Sequence, residues 1–140
     1  AVESPHANYV IQKVVEVMPS SQTAFVAQEL AGAGVAVACH RYGCRILCRV
    51  FEHSPRDAPA TAALCEEILA EASKLARHSF AHHVVESVLE HGLPPQRERV
   101  AAALRQDLTR GARNRNASHV IETALKYCSQ DVQKAFSDDL

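Results

Sequence analysis

A chain of 140 residues that is 47% apolar is long enough for one ordinary core, which excludes intrinsic disorder as the default state. Fifteen basic and sixteen acidic side chains leave a formal charge of −1, so any nucleic-acid partner must be met by local rather than overall positive charge. Five cysteines (Cys39, Cys44, Cys48, Cys65, Cys128) without regular pair spacing argue against a secreted disulfide framework, and no stretch approaches the roughly 18 apolar residues of a membrane helix. With no signal-peptide plan at the N-terminus, the expectation is an intracellular chain. Its start at Ala1, running almost at once into patterned sequence, reads as a piece of a longer protein.

In chain order, the first patterned stretch is "HANYVIQKVVEV", residues 6–17, an apolar helical run opening on Asn8, Tyr9 and Gln12. A second amphipathic helix is expected around 22–31, punctuated by Gly32 and Gly34, and is followed by "CRILCRVFEH" from Cys44. "SPRDAP", Ser54 to Pro59, is a loop by composition. A helix over 60–77 leads to "HHVVESVLEH" from His82; Gly92, Pro94 and Pro95 break the pattern; and a helix over 96–110 ends at Gly111 before "SHVIETALKY" from Ser118.

The four segments starting at Asn8, Cys44, His82 and Ser118 align without gaps, with starts 36, 38 and 36 residues apart, which is an internal repeat. Two and three places into each lie Val10/Ile11, Ile46/Leu47, Val84/Val85 and Val120/Ile121; at six and seven come Val14/Val15, Val50/Phe51, Val88/Leu89 and Ala124/Leu125. Those offsets line one helical face. Extended backwards, the alignment puts Val26, Leu64 and Val100 in one column, Leu30, Ile68 and Leu104 in another, and Ala38, Ala76 and Ala112 in a third. One unit cannot bury its apolar face alone, whereas stacked units can. The expected fold is therefore all-α, a solenoid with equivalent helices on one concave surface, divided into a partial repeat at 1–21 and repeats at 22–57, 58–95 and 96–140.

The polar positions vary where the apolar ones do not. Offsets zero, one and four hold Asn8, Tyr9 and Gln12; Cys44, Arg45 and Cys48; His82, His83 and Glu86; and Ser118, His119 and Glu122. Zero and four are one helical turn apart and project from the same face. Such a surface reads something that changes from unit to unit.

"NYVIQ", "HRYGCRIL", "FEH", "FAHHVVESVLEHG" and "ASHVIETALKYC" resemble successive units of the Pumilio-type (PUF) RNA-binding repeat family, from its middle towards its C-terminal end, over nearly the whole chain. The resemblance implies a right-handed α-solenoid of three-helix repeats that binds single-stranded RNA, roughly one base per repeat. It also implies that offsets zero and four contact the base edge while the residue between them stacks. The base-edge residues are then Asn8, Gln12, Cys44, Cys48, His82, Glu86, Ser118 and Glu122, and the stackers are Tyr9, Arg45, His83 and His119. Lys13 and Arg49, in the next column, are candidate phosphate contacts, followed there by Ser87 and Thr123.

The pairs can be judged by their chemistry. Asn8 with Gln12 offers amides that donate and accept, which suits uracil and matches the family's uracil reader. The Glu122 carboxylate beside Ser118 can accept from guanine N1 and N2 hydrogens, as in the family's guanine reader. His82 with Glu86 keeps the guanine-favouring carboxylate, although the family's equivalent unit more often reads uracil. Cys44 and Arg45 begin like an adenine reader, but Cys48 stands where glutamine is expected, and a thiol discriminates weakly. With the family's antiparallel polarity, the expected element is 5′-G-G-(A or any)-U-3′. Few bases and two carboxylate readers imply modest affinity and a shallow salt dependence.

The family implies post-transcriptional control of messenger RNA through recruited protein effectors, in the cytoplasm, with the nucleus or nucleolus as alternatives. Cut between repeats, a solenoid exposes an apolar edge through which copies could pair. The residues also admit rival readings. His40, Cys44 and Cys48, or His78, His82 and His83 one repeat on, could supply zinc ligands, but no paired CxxC spacing supports this, and free thiols are preferred. No residue is singled out as a nucleophile, so no enzyme activity, cofactor or metal is expected. The alternative function is a degenerate helical-repeat domain that binds protein or nucleic acid without a base code, for example in ribosomal RNA processing.

Overall fold

The computed structural model describes residues 27–53, 59–128 and 130–139. Asn8, Tyr9, Gln12 and Lys13 lie outside the described residues, as does most of the Ser54–Pro59 loop. Pro59 itself opens a helix, the first-turn position at which its missing N–H costs nothing.

The described residues hold helices and turns and no strand. In chain order the helices are α1 (Gly34–Ala38), α2 (Gly43–His53), α3 (Pro59–Ala70), α4 (Ala72–Ala76), α5 (His82–His91), α6 (Pro94–Gln106), α7 (Leu108–Arg113), α8 (Arg115–Tyr127) and α9 (Gln130–Asp139), a long, a short and a signature helix recurring in α3 to α5 and in α6 to α8. The architecture is a right-handed α-solenoid of three-helix repeats. Its signature helices α2, α5 and α8 pack successively in one row, and α3 and α6 pack behind them. No described helix is long and apolar enough to cross a membrane.

The repeat columns explain the core. Ile46, Leu47, Val50, Val84, Val85, Val88, Leu89, Val120 and Ala124 are at most 1% exposed, and the earlier helices contribute Leu64, Ile68 and Val100 at 0%. Each large aliphatic side chain so buried contributes about 1.5–3 kcal/mol. One column departs from expectation: Ala38 and Ala76 are buried, but Ala112 is exposed and Gly111 is buried in its stead. The reason is local. α7 runs to Arg113 and meets α8 across Asn114 alone, whereas longer turns separate α1 from α2 and α4 from α5.

The helix expected over 60–77 is two helices. Glu71, at φ −119° and ψ 21°, breaks it, and Asp107 at φ −131° and ψ 39° makes the equivalent break between α6 and α7. The breaks leave the apolar spacing intact, so periodicity does not reveal them. Polar ties then join neighbouring units. Arg77, capping α4, pairs with Asp107, and Arg99 pairs with Glu66. The Glu67 carboxylate accepts from the Gly32 and Gly34 amides at 2.9 and 2.8 Å. Gly32, at φ +88°, takes a conformation that other residues resist. At the far end, Phe136 of α9 is fully buried, and Gln133 donates to the Leu125 and Cys128 carbonyls that end α8.

Candidate nucleic-acid interface

What aims the signature helices is a second column that repeats with them. His40 Nδ1 accepts from the Tyr42 and Gly43 amides at 3.1 and 3.3 Å; His78 Nδ1 accepts from Phe80 and Ala81 at 3.1 and 3.2 Å; Asn114 Oδ1 accepts from Asn116 and Ala117 at 2.9 and 3.0 Å. Each satisfies amides at a helix entrance that have no partner within the helix. These residues sit four places before each trio in the gapless alignment, so the column is visible in the sequence, but residue types alone leave the two histidines equally readable as zinc ligands.

The trio positions have a constant geometry. The middle residue is exposed in each described unit, namely Arg45, His83 and His119, and the first lies deeper, with Cys44 and His82 buried and Ser118 half-buried. At the last position Cys48 and Glu86 are half-buried and Glu122 is exposed.

Between α2 and α5 an open recess of about 620 Å³ is lined by Arg41, Cys44, Arg45, Cys48, Arg49, Phe80 and His83. The proposed edge pair of one unit thus shares a wall with the stackers of two successive units. The Cys44 thiol donates to the Arg41 carbonyl at 3.3 Å, and Cys48 donates to the His83 carbonyl at 3.5 Å across the unit boundary. Burial, reinforced by Cys44, pushes the Cys48 thiol up to about 12, so it is a neutral donor. Arg49 pairs with Glu52 at 2.8 Å while still lining the recess.

A second recess, between α5 and α8, is lined by His82, Arg115, Asn116 and His119. His82 Nδ1 lies 2.8 Å from the His78 carbonyl. A carbonyl can only accept, so Nδ1 carries a proton, and the neutral form of the imidazole then has its lone pair on Nε2. The His83 ring lies against that of His82, centroids 3.9 Å apart, and burial lowers its pKa. Glu86 holds His119 Nδ1 across the unit boundary, accepts from Thr123 Oγ1 at 3.4 Å and lies 3.8 Å from His83. Hydrogen bonding to Glu86 and its charge raise the His119 pKa. Two acceptors, His82 Nε2 and the Glu86 carboxylate, are a donor-seeking pair.

The arginines divide by role. Arg41, Arg45 and Arg49 line the first recess and Arg115 the second, whereas Arg97 donates to the Glu90 and Tyr127 carbonyls and Arg99 is spent on Glu66. Four arginines thus line the two recesses that the trios border, despite the near-neutral total.

These features define a helical-repeat protein with a recess between each pair of successive signature helices. The sequence profile of the Pumilio-family RNA binding repeat matches residues 4–31, 35–69, 72–104 and 112–136, and the chain belongs to this family. It is 23% identical over 133 residues to the chloroplastic pumilio homolog 7 of Arabidopsis thaliana, covering 92% of this chain and 20% of that protein. It is also 27% identical over 84 residues to Pumilio homology domain family member 4 of Saccharomyces cerevisiae, covering 60% and 9%. The chain thus spans a fifth or less of the length of these curated relatives. Among solved structures, PUF-8 in complex with PBE-RNA superposes with a TM-score of 0.91 at 21% identity, over 99% of this chain and 40% of that one. The Puf4 RNA-binding domain bound to an HO endonuclease RNA 3′ UTR recognition sequence gives 0.86 at 18% identity, over 94% and 41%. At these identities the superpositions carry the fold.

Proposed function

We propose that the chain binds single-stranded RNA in a sequence-dependent way, one base per repeat over units 22–57, 58–95 and 96–140 and the partial unit 1–21. It acts as a binding module in post-transcriptional regulation of cytoplasmic messenger RNA, with protein effectors rather than its own catalysis carrying the outcome. The observation that carries this reading is the recess between α2 and α5, where Cys44 and Cys48 form the wall and Arg45 and His83, flat groups from two successive units, form the rims. Its size falls in the roughly 300–1,000 Å³ range of small-ligand sites, and base stacking on such groups contributes about 1–3 kcal/mol per base.

The element proposed is 5′-G-G-(A or any)-U-3′, read by Ser118/Glu122, His82/Glu86, Cys44 and Asn8/Gln12 in that order. At the second base, His82 Nε2 and Glu86 are two acceptors facing guanine's two donors, N1–H and N2–H. Titrating short RNAs built around GGAU against the protein, with fluorescence anisotropy as the readout and each base varied in turn, tests it. Loss of affinity on changing the first G or the last U is expected. Equal binding of all sequences favours the second reading, a solenoid without a base code, which draws support from Cys44 being only 3% exposed with its thiol bonded to the Arg41 carbonyl.

A further inference from the structure

The third unit brings together two imidazoles and a carboxylate as a donor set. One nitrogen of His82, one of His83 and a carboxylate oxygen of Glu86 all lie within 4.8 Å of one another. We propose that these three side chains form a binding site for a borderline divalent transition metal, zinc above all, on the same face that reads RNA, so that metal and guanine compete for it. The competition rests on the RNA reading above; the metal site does not.

The chemistry of the set suits this ion. Two imidazoles and one carboxylate are nitrogen and oxygen donors of the kind zinc takes in three-ligand sites, with bonds of roughly 2.0–2.2 Å. Tetrahedral bonds of that length put donor atoms roughly 3.4 Å apart, so closing the set asks the side chains to approach by up to about 1.4 Å. Helix geometry supplies the rest. His82 and Glu86 are one turn apart on α5 and His83 is adjacent, so a rigid element fixes all three Cβ positions.

The surroundings also favour it. His82 Nδ1 is anchored on the His78 carbonyl, the outer-shell contact that typically orients a ligating imidazole and leaves its other nitrogen to the metal. His119 already touches Glu86 and lines a recess with His82, so it can supply the fourth donor in place of water. By contrast, His40 Nδ1 is occupied by two backbone amides and Cys44 by a carbonyl, which turns those groups to structural use. A metal held by His82 and Glu86 occupies the same lone pairs that would accept from guanine.

The test begins with the protein alone. Chelator-treated protein is titrated with zinc by calorimetry and with cobalt(II) by visible absorption, for wild type, His83→Ala, Glu86→Gln and, as control, His53→Ala. One zinc per chain is expected, weakened at least about tenfold by His83→Ala and by Glu86→Gln, the loss that even an outer-shell partner can cost, and unchanged in the control. His83 is exposed and Gln is isosteric with Glu, so both variants should keep the fold, which circular dichroism checks. A flat zinc titration, undiminished binding in both variants, or thiolate-to-cobalt charge-transfer absorption overturns the site. RNA binding with and without zinc then tests competition: weaker binding of GGAU RNA in zinc, restored by chelator, supports it, and equal binding overturns it. Failure of RNA to bind in chelator sinks the RNA reading while leaving the zinc titration to stand by itself.

Discussion

The carboxylate of Glu86, the base-edge candidate of one unit, holds the imidazole of His119, the stacking candidate of the next. Neighbouring candidate readers are thus joined, so a change at Glu86 also touches His119. The hydrogen bond and the negative charge both favour the imidazolium, which raises the His119 pKa above its ordinary 6.5. The sign follows from linkage: the pair stabilises the fold fully below pH 6.5 and the contribution is lost as pH rises through the raised value. In metal-free protein, an NMR titration of the His119 ring should show a midpoint above 6.5 that falls back towards it in Glu86→Gln. A midpoint equal in the two proteins would remove the pair from solution.

Glu122 carries the guanine assignment of the last unit. It is exposed, so its carboxylate is available to the N1 and N2 hydrogens of an incoming base. Glu122→Gln replaces one acceptor-only oxygen with a donor and should cut the preference for G over U at the first base by about tenfold, within the roughly 1–3 kcal/mol of a bidentate base contact. Circular dichroism should show no loss of helix. If the G-to-U affinity ratio matches wild type, the register of the code is wrong.

Arg45 should behave differently. It rims the α2–α5 recess but the edge pair beneath it consists of two thiols, one buried and one held by the His83 carbonyl. Arg45→Ala is expected to weaken binding by about 1–3 kcal/mol for every base at the third position alike. Anisotropy with all four third-base variants is the measurement, and a loss confined to one base would mean that this unit discriminates after all.

Much of this architecture is legible in the sequence because a repeat states its pattern several times. Three copies of the apolar columns point to one buried face, and Ile46, Val84 and Val120 duly lie inside. What is not legible has physical causes. The breaks at Glu71 and Asp107 preserve helical phase, and Ala112 is turned outward by a junction one residue long, which no column of residue types can express. The Glu86–His119 tie joins residues 33 positions apart, on adjacent helices whose packing alone brings them together. The recruitment of His40 and His78 to backbone amides needs coordinates as well, since histidine is an uncommon cap and its ring invites a ligand reading first.

That cap column leads to a stability prediction. Asn114 bridges α7 and α8 with no intervening turn, and its side chain accepts from two amides of the first turn of α8. Removing the acceptor in Asn114→Ala leaves both amides to water and should cost about 0.5–2 kcal/mol, whereas Asn114→Asp keeps the acceptor and adds a negative charge at the positive end of the helix dipole. Urea unfolding followed by circular dichroism should therefore place the midpoints in the order Asp at or above wild type, then Ala below both. Because α8 carries Ser118, His119 and Glu122, the alanine variant should also bind GGAU RNA less tightly, and most visibly near its unfolding midpoint. An alanine variant as stable as wild type would mean that the packing of α8 on α5, rather than its cap, sets the position of the last reader.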